Sequence, residues 1–316
     1  MSKRIRRRQP DFEPFRPSWP SASIVVVTFN TRGLFIEKLF ESLRQLDYPD
    51  YEVIVVDNGS RDETRAVLER CRTNEILIFN DKNHGFAGGC NDGIARARGE
   101  VTVLLNFDTE VQSDWLTEIV RPLVENPRAA IVGSKIYYPG TRQFQHAGGI
   151  LHGNGMGEHA AYREEDHGQC DTLRDVDFVT GASMAIRRRF LDLCGGGLDK
   201  DYFPAYGEDS DLCYRAHLMG YEVLYAPKSV LYHHESPVLE NQSPAFRRLI
   251  ERGRMIFCIK NLRLYEWFTR FLPYEIYWLR MPWSKGRRRQ QIRAYLDGLA
   301  FFFGRRYTPD KPFTDL

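Results

Sequence analysis

The sequence lacks several features that would assign it to a class at once. No stretch approaches the roughly 18 consecutive apolar residues of a membrane-spanning helix, and no apolar segment follows the basic N-terminus as in a secretory signal. The six cysteines are scattered without a C-x-x-C pair, which argues against a short disulfide framework. We therefore expect reduced thiols and a cytoplasmic location, either free or at the inner face of the cell membrane.

The sequence also lacks an excess of charge, an internal repeat and a low-complexity segment. Its 44 basic and 42 acidic residues leave a net charge of +2, which gives no reason to expect a nucleic-acid partner. With 42% hydrophobic and 27% charged residues, the composition is that of an ordinary globular protein. A length of 316 residues permits one large domain with a tail, or two domains, and leaves the oligomeric state open.

What the sequence does contain is a regular alternation of β-branched apolar runs and amphipathic segments. The pattern predicts strands over 23–28, 51–56, 75–80, 101–106, 129–136 and 222–226, and helices over 34–46, 60–71, 88–98, 113–125, 190–193 and 209–219. Such repeats indicate right-handed βαβ units, hence an α/β fold with a mostly parallel, Rossmann-like sheet flanked by helices. The glycine- and histidine-rich stretch 140–168 has no clear period, and we expect it to add an antiparallel strand or two.

Composition changes divide the chain into three predicted parts. Residues 1–20 are basic and proline-rich, which predicts a flexible lead-in, and residues 21–240 hold the α/β pattern. In the predicted helical extension, 241–316, aromatic and apolar residues recur at helical spacing with basic residues between them. This part is interpreted as a packed subdomain, as a dimer surface, or as a platform that contacts the membrane surface.

Two acidic clusters follow apolar segments about a hundred residues apart. Asn106 and Asp108 come after the strand 101–105, and their side chains lie on one side of an extended segment. Carboxylates beyond strand ends face the ligand crevice of open α/β sheets, and an oxygen ligand there suits Mg²⁺ or Mn²⁺. In the second cluster, one of Glu208, Asp209 and Asp211 would accept a proton from a substrate hydroxyl. Helix capping is the plain alternative for both clusters.

Polar and glycine-rich segments follow the other predicted strands. Phe29 lies between Thr28 and Asn30 at the end of the first strand, and Asp57 begins the sequence DNGS after the second. An acid in that position contacts a base or ribose in nucleotide-binding folds, although a simple turn has the same composition. The stretch 83–91 (NHGFAGGCN) enters a helix, whose N-terminus favours phosphate. His233, as a neutral imidazole, is a candidate partner of Asp108 at a metal.

In this order and at these separations, the motifs resemble those of the inverting glycosyltransferases of family 2, which have the GT-A fold, and in particular its rhamnosyltransferase-like branch. The resemblance spans about residues 23–236. It is carried by residues 27–30 (VTFN), 55–60 (VVDNGS), 83–87 (NHGFA), 106–108 (NFD), 180–183 (TGAS), 207–212 (GEDSDL) and 232–236 (YHHES).

The resemblance implies a hexosyl- or deoxyhexosyltransferase that uses a UDP- or dTDP-linked sugar and Mg²⁺ or Mn²⁺. Its acceptor would be a sugar or lipid-linked sugar in cell-surface polysaccharide or glycolipid assembly. The implied metal contacts are Asp108 and His233, and the implied base is Asp209, with Glu208 and Asp211 as alternatives. Acceptor contacts would be Gly181, Ala182 and Glu208, and donor contacts would be Thr28, Phe29, Asn30, Asp57, Asn58, Gly59, Asn83, Gly85, Phe86, Ala87, Asn91 and Asn106.

One position departs from the family pattern, and two other functions remain open. The metal motif usually reads Asp-x-Asp, whereas Asn106 is a neutral ligand, which implies lower metal affinity. A nucleotidyltransferase also uses paired acids and Mg²⁺, but it would normally have a basic glycine-rich loop near the first strand, which residues 28–31 lack. The other alternative is a non-catalytic nucleotide-sugar-binding protein that keeps only the fold.

Overall fold

The structure is a computed structural model, and it describes residues 12, 15, 19–235, 243–280 and 285–304, the last range without the side chains of 285–287. Most of the predicted lead-in, the last motif residue Ser236 and the boundary near 240 lie outside the described residues. The boundaries proposed for the three parts therefore stay predictions.

Twelve strands and ten α-helices form the described part of the chain, with one 3₁₀ turn (Lys200–Tyr202) and one π-helical turn (Trp267–Phe271). The strands are β1 (Ala22–Thr28), β2 (Tyr51–Asp57), β3 (Ile76–Phe79), β4 (Val101–Asn106), β5 (Thr109–Val111), β6 (Ala129–Tyr137), β7 (Phe144–His146), β8 (Gly149–Leu151), β9 (Gly157–His159), β10 (Arg174–Asp175), β11 (Ser183–Arg187) and β12 (Glu222–His233). The helices are α1 (Ile36–Leu43), α2 (Thr64–Cys71), α3 (Gly85–Arg96), α4 (Trp115–Glu125), α5 (Arg188–Leu193), α6 (Glu208–Leu218), α7 (Pro244–Asn261), α8 (Leu264–Glu266), α9 (Leu272–Arg280) and α10 (Lys285–Phe302).

The central sheet has ten strands, with the path β10-β12-β6-β11-β4-β1-β2-β3, while β5 pairs with β12 and β7 with β6. Strands β1 to β4 are mutually parallel, and β6 is parallel to β12. Because β11 runs antiparallel to both β4 and β6, these two groups point in the same direction. The predicted α/β fold with a mostly parallel sheet and a C-terminal helical region is thus confirmed.

Both faces of the sheet are covered by helices, which explains the uninterrupted apolar runs of the central strands. In β1, Ile24 and Val26 pack in one core with Phe40 of α1, whereas Val25 faces the other core with Ile94 of α3. The alternation of neighbouring residues between two buried faces explains why residues 24–27 of β1 are all apolar.

The strand register brings the predicted motifs to one edge of the sheet. Thr28 is the register partner of Asp57 across β1 and β2, and Val27 is that of Asn106 across β1 and β4. The carboxyl ends of β1, β2 and β4 therefore meet. At the far end of β12, His233 pairs with Thr109, the residue after Asp108. Residues 109–111 are thus a strand, so Asp108 does not cap a helix.

The C-terminal helices pack onto the α/β part through α7. A buried cluster joins α7 to α9, because Arg254 forms ion pairs with Glu251 and with Glu275, 2.6 Å away. Gln291 and Tyr295 of α10 also donate hydrogen bonds to Glu275. Among the described residues, no helix is long and apolar enough to span a membrane.

Candidate functional site

A cleft of about 1000 Å³ opens at the carboxyl ends of β1, β2 and β4 and extends toward α6 and α7. Most residues predicted for the site line it: Thr28, Phe29, Asn58, Asn83, Gly85, Phe86, Asn106, Asp108, Gly181, Ala182, Glu208, Asp209 and His233. The structure therefore brings both acidic clusters to a single cavity. Six predicted residues do not line it, namely Asn30, Asp57, Gly59, Ala87, Asn91 and Asp211.

Asp108 and His233 meet at one corner of the cleft. The Oδ1 atom of Asp108 lies 3.1 Å from Nε2 of His233, although the two residues are 125 positions apart. Nδ2 of Asn106 lies 3.2 Å from the same ring nitrogen. The pairing of β5 with β12 creates this contact.

Gln145 orients the His233 ring from behind. Its Oε1 atom lies 2.5 Å from Nδ1 of His233, which assigns the proton to Nδ1 because an amide oxygen can only accept. The lone pair of Nε2 then points toward Asn106 and the Asp108 carboxylate. Metal-binding histidines commonly donate their second N–H in this manner, so the arrangement suits a cation between His233 and Asp108.

No group of three or more His, Cys, Asp or Glu side chains that could hold a metal occurs in the portion of the chain that is described. The corner thus supplies one carboxylate and one imidazole, with Asn106 beside them. Mg²⁺ usually binds proteins through one or two carboxylates together with substrate phosphates and waters. The residues present fit a metal whose remaining ligands come from a bound diphosphate.

Asp209 lies at the start of α6, on the opposite acidic cluster. The helix begins after Gly207, whose φ of +102° is a conformation that glycine adopts without strain. Oδ2 of Asp209 accepts a hydrogen bond from the backbone N–H of Gly181 at 3.2 Å. The bond positions one carboxylate edge against the 180–182 loop, within the cleft and near the aromatic ring of Phe86.

The other two acids of α6 have different surroundings. Glu208 is buried, and among the described residues its Oε2 has no hydrogen-bond partner. Burial, followed by the charge of Asp209, raises its pKa well above the ordinary value. Asp211 points away from the cleft and pairs with Nε of Arg215 at 2.9 Å. It also accepts hydrogen bonds from Tyr202 and Asn261. Asp211 therefore belongs to the framework of the domain.

Asp57 is fully buried beneath the end of β1. Its Oδ2 accepts a hydrogen bond from Nε of Arg65 at 2.5 Å, while Oδ1 has no hydrogen-bond partner among the described residues. Asn30, in the adjacent turn, accepts a hydrogen bond from the backbone of Arg61 through its side chain. An unsatisfied buried carboxylate oxygen is a costly feature that a ligand N–H would satisfy.

The loop before α3 is held by amide side chains. Asn58 donates hydrogen bonds to Oδ1 of Asn83 and to the carbonyl of Gly85, and Oδ1 of Asn83 accepts the N–H of Gly85. At Gly59, a Cβ atom would lie 2.5 Å from the carbonyl carbon of Lys82, so the close approach of the two loops requires glycine. These residues shape the wall of the cleft.

The position of Asn91 differs from the predicted one. We predicted that it faces a donor, but it lies outside the cleft, where its amide exchanges two hydrogen bonds of 2.8 Å with the backbone of Leu198. Ala87, within α3, is likewise buried in the core. Both residues lie within the predicted phosphate-binding segment, but helical geometry turns their side chains away from it.

Several residues of the cleft were not selected from the sequence: Gln145, His146, His159, Tyr206 and Glu235. His146 and His159 share a hydrogen bond of 2.8 Å between their Nδ1 atoms, and burial lowers the pKa of both. Nε2 of His146 has no partner among the described residues. The abundance of histidine and glycine in 140–168 was the available signal, but that stretch has no period from which positions could be chosen.

The family and one curated relative match most of this fold. Residues 23–194 match the family described as Glycosyl transferase family 2. An O-antigen biosynthesis protein, RfbC, from Myxococcus xanthus is 32% identical over 228 residues, 69% of this chain. The chain spans 17% of that protein's length and 26% of the length of a second relative.

Two solved structures share the fold. The mannosyltransferase PcManGT from Pyrobaculum calidifontis, in complex with GDP-Man and Mn²⁺, superposes with a TM-score of 0.59 at 20% identity and covers 97% of this chain and 81% of its own. TarS 1–349 from S. aureus, in complex with UDP-GlcNAc, has a TM-score of 0.58 at 18% identity, with 89% and 81% covered. These superpositions identify the architecture as GT-A.

Proposed function

The chain belongs to glycosyl transferase family 2, and we propose that it transfers a sugar from a nucleotide-diphosphate donor to an acceptor hydroxyl in one inverting step. The observation that carries the proposal is the meeting of Asp108, His233 and Asp209 in one cleft, although the sequence separates the clusters widely. The nearest alternatives remain a nucleotidyltransferase and a nucleotide-sugar-binding protein.

In this proposal Asp209 is the general base. It is the acid of α6 that lines the cleft and does not pair with a cation, whereas Asp211 is paired with Arg215. Glu208 also lines the cleft, but burial and the charge of Asp209 raise its pKa, which favours the protonated form that cannot accept a proton. Asp209 would remove the acceptor proton as the hydroxyl oxygen attacks the anomeric carbon, while the C–O bond to the diphosphate breaks. A single displacement inverts the configuration at that carbon.

Asp108 and His233 would hold Mg²⁺ or Mn²⁺, with Gln145 keeping the histidine in the required tautomer. When bound, such an ion supplies positive charge that stabilises the departing diphosphate. Asn106 adds a neutral contact at the same corner, which is consistent with weaker binding than an aspartate would provide.

We propose that the nucleotide lies over the ends of β1 and β2. Asp57 is fully buried and does not line the cleft, so its unsatisfied Oδ1 would accept the imide N–H of a uracil or thymine base only after the residues above it move aside; with that movement it favours a UDP- or dTDP-linked sugar. Guanine offers an N–H of similar character, and the neighbour PcManGT was solved with GDP-Man. A donor panel therefore needs to include all three nucleotides.

The acceptor side of the proposal comes from the relatives. The similarity to an O-antigen biosynthesis protein supports a sugar or lipid-linked sugar acceptor in cell-surface polysaccharide or glycolipid assembly. Transfer of a hexose or deoxyhexose, as in the rhamnosyltransferase-like branch, belongs to the same proposal. Gly181 and Ala182 would lie beside the acceptor, since they line the cleft next to Asp209.

The test measures product formation from a panel of UDP-, dTDP- and GDP-sugars, with Mn²⁺, with Mg²⁺ and with a chelator. A glycosyltransferase releases the nucleoside diphosphate, and NMR of the product reports the anomeric configuration. A nucleotidyltransferase would instead consume a nucleoside triphosphate and release pyrophosphate. Saturable donor binding without turnover, across the panel and with acceptor sugars present, would support the binding-protein alternative. Retention of configuration would refute the single displacement.

A further inference from the structure

The helical stretch from α8 to α10 exposes many large apolar side chains. The side chains of Leu264, Phe268, Phe302 and Phe303 are each between 66% and 79% exposed. Monomeric proteins rarely expose apolar patches larger than a few hundred Å², and larger ones mark interaction sites. We define the C-terminal apolar surface by Leu264, Phe268, Leu272 and Ile276 on the first helical stretch, and by Ile292, Leu296, Leu299 and Phe303 on and just after α10.

This surface is the outer side of helices whose inner side is already packed. The residues that define the surface recur at steps of three or four along each helical stretch, which places them along one stripe. The opposite sides carry Phe271 and Glu275 on one helix and Ala294 on the other, all of which are buried. The exposed stripes are therefore not part of the protein core, and their apolar character needs another explanation.

The charges around the surface have one sign. Between residues 263 and 304, the described acids are Glu266, Glu275 and Asp297, and each is paired with an arginine and mostly buried. The side chains of Arg280, Arg288 and Arg289 are exposed along the same helices. Arg280 follows Ile276 by four residues and Arg288 precedes Ile292 by four, so both continue the apolar stripes. An apolar face flanked in this way by arginine, with no exposed carboxylate among the described residues of this range, is complementary to an anionic lipid surface.

The helix that carries the first half of the surface also packs close to the cleft. Tyr274 of α9 packs against Gly153 and lies beside the ring of His152. Nε2 of His152 is 2.6 Å from the carboxylate of Glu158, which lines the cleft. The helix α9, which carries part of the C-terminal apolar surface, is thus connected to a residue of the cleft through His152 and Glu158.

We propose that the C-terminal apolar surface docks on an anionic phospholipid bilayer, so that the cleft receives an acceptor anchored in that bilayer. The receipt of an anchored acceptor rests on the proposed function, whereas the docking does not. The apolar stripes would enter the headgroup region, and the arginines would contact lipid phosphates.

The test is sedimentation of the full chain with vesicles of phosphatidylcholine alone or mixed with phosphatidylglycerol. We expect binding to the anionic vesicles, weakened by salt. The variant Leu264→Ser/Phe268→Ser should bind at least about ten-fold more weakly, because it removes apolar area from the interface. The variant Arg288→Gln/Arg289→Gln should bind roughly 30-fold more weakly, since each basic residue near an anionic surface contributes about 1 kcal/mol.

Matched controls are Leu218→Ser and Arg72→Gln, two exposed residues outside the C-terminal helices. Neither control should change vesicle binding. Equal binding of the wild type to both vesicle types, or binding that the two test variants leave unaltered, would overturn the proposal. So would a concentration-dependent dimer in analytical ultracentrifugation that Leu264→Ser/Phe268→Ser abolishes, because the surface would then be an interface between two copies.

Turnover with a water-soluble acceptor separates this proposal from the proposed function. Both test variants should keep wild-type rates in that assay, since their residues do not line the cleft. Vesicle binding without any turnover would leave the docking intact and refute the enzymatic proposal. Turnover without vesicle binding would refute the docking and leave the enzymatic proposal intact.

Discussion

Replacing Asp209 and Asp211 separately, each by asparagine, gives the sharpest test of the proposed site, because Asp209 lines the cleft and Asp211 is paired with Arg215. Asp211 forms an ion pair with Arg215, and the exposed fractions of the two side chains are 3% and 14%. Its other oxygen accepts hydrogen bonds from Tyr202 and Asn261 at 3.1 and 3.0 Å. Asparagine would keep the shape but leave the guanidinium without its counter-charge.

The expected loss for Asp211→Asn follows from that burial. Removing one partner of a buried pair costs about 3–5 kcal/mol. For a chain of this length, about 2 °C of Tm per kcal/mol predicts a Tm lower by roughly 6–10 °C. Turnover measured well below the Tm should stay near that of the wild type, because Asp211 does not line the cleft.

Asp209→Asn should show the opposite result. Loss of a general base lowers kcat by about 10²–10⁴-fold, while donor affinity should stay near normal. The Tm should fall by no more than about 2 °C, since the lost charge contributes at most about 1 kcal/mol at a helix N-terminus.

Differential scanning fluorimetry and release of nucleoside diphosphate measure the two quantities on the same samples. If Asp211→Asn lost turnover at an unchanged Tm, or Asp209→Asn retained full turnover, the assignment of the base would be wrong.

The remaining predictions concern protonation and the metal corner. Glu208→Gln should keep turnover within about threefold, because burial raises the pKa of this carboxyl and favours its neutral form, which glutamine imitates. A collapse comparable to that of Asp209→Asn would contradict this. Because the folded-state pKa of Glu208 is raised, its contribution to stability is fully present below the unfolded value of 4.5 and is lost as the pH rises above it. In thermal unfolding, the variant should therefore lose less stability than the wild type as the pH rises above 4.5. Gln145→Leu should raise the Mn²⁺ concentration that gives half-maximal turnover by about 10–100-fold, because His233 loses the hydrogen bond that orients it. Replacement of the exposed Gln143 by leucine should leave that concentration unchanged. Equal Mn²⁺ titrations of the two variants would refute the role of Gln145. Burial lowers the pKa of His146 below its unfolded value of 6.5, so stability should decline as the pH falls under 6.5, and His146→Gln should flatten that decline in urea melts.

Local sequence pattern was enough to predict the first half of the fold. The central residues of β1, β2 and β4 are mostly apolar because helices cover both sheet faces, and turns rich in glycine, asparagine and aspartate separate these strands from the helices. The helix α3 begins at Gly85 rather than at residue 88, which is a small shift in a boundary that sequence pattern leaves imprecise.

Strand β11 was missed although it lies at the centre of the sheet. Its five residues, Ser183–Arg187, continue directly into α5 at Arg188 with no turn residue to separate them. Its antiparallel pairing with both β4 and β6 is a long-range choice. Short strands depend on packing against neighbours more than on local preference, so the pattern of five residues could not reveal it.

The candidate site shows the same division between local and long-range information. The sequence by itself determined that acids follow buried strands and open α6, since the order of residues along an element decides which side chains lie near its end. It could not choose among Glu208, Asp209 and Asp211, because successive residues of a helix point in different directions. Only the packing of neighbouring elements decides which of these side chains faces the protein interior and which faces the cleft. The tertiary structure turned Asp211 toward Arg215 and left Asp209 in the cavity, and the pairing of β5 with β12 brought His233 to Asp108.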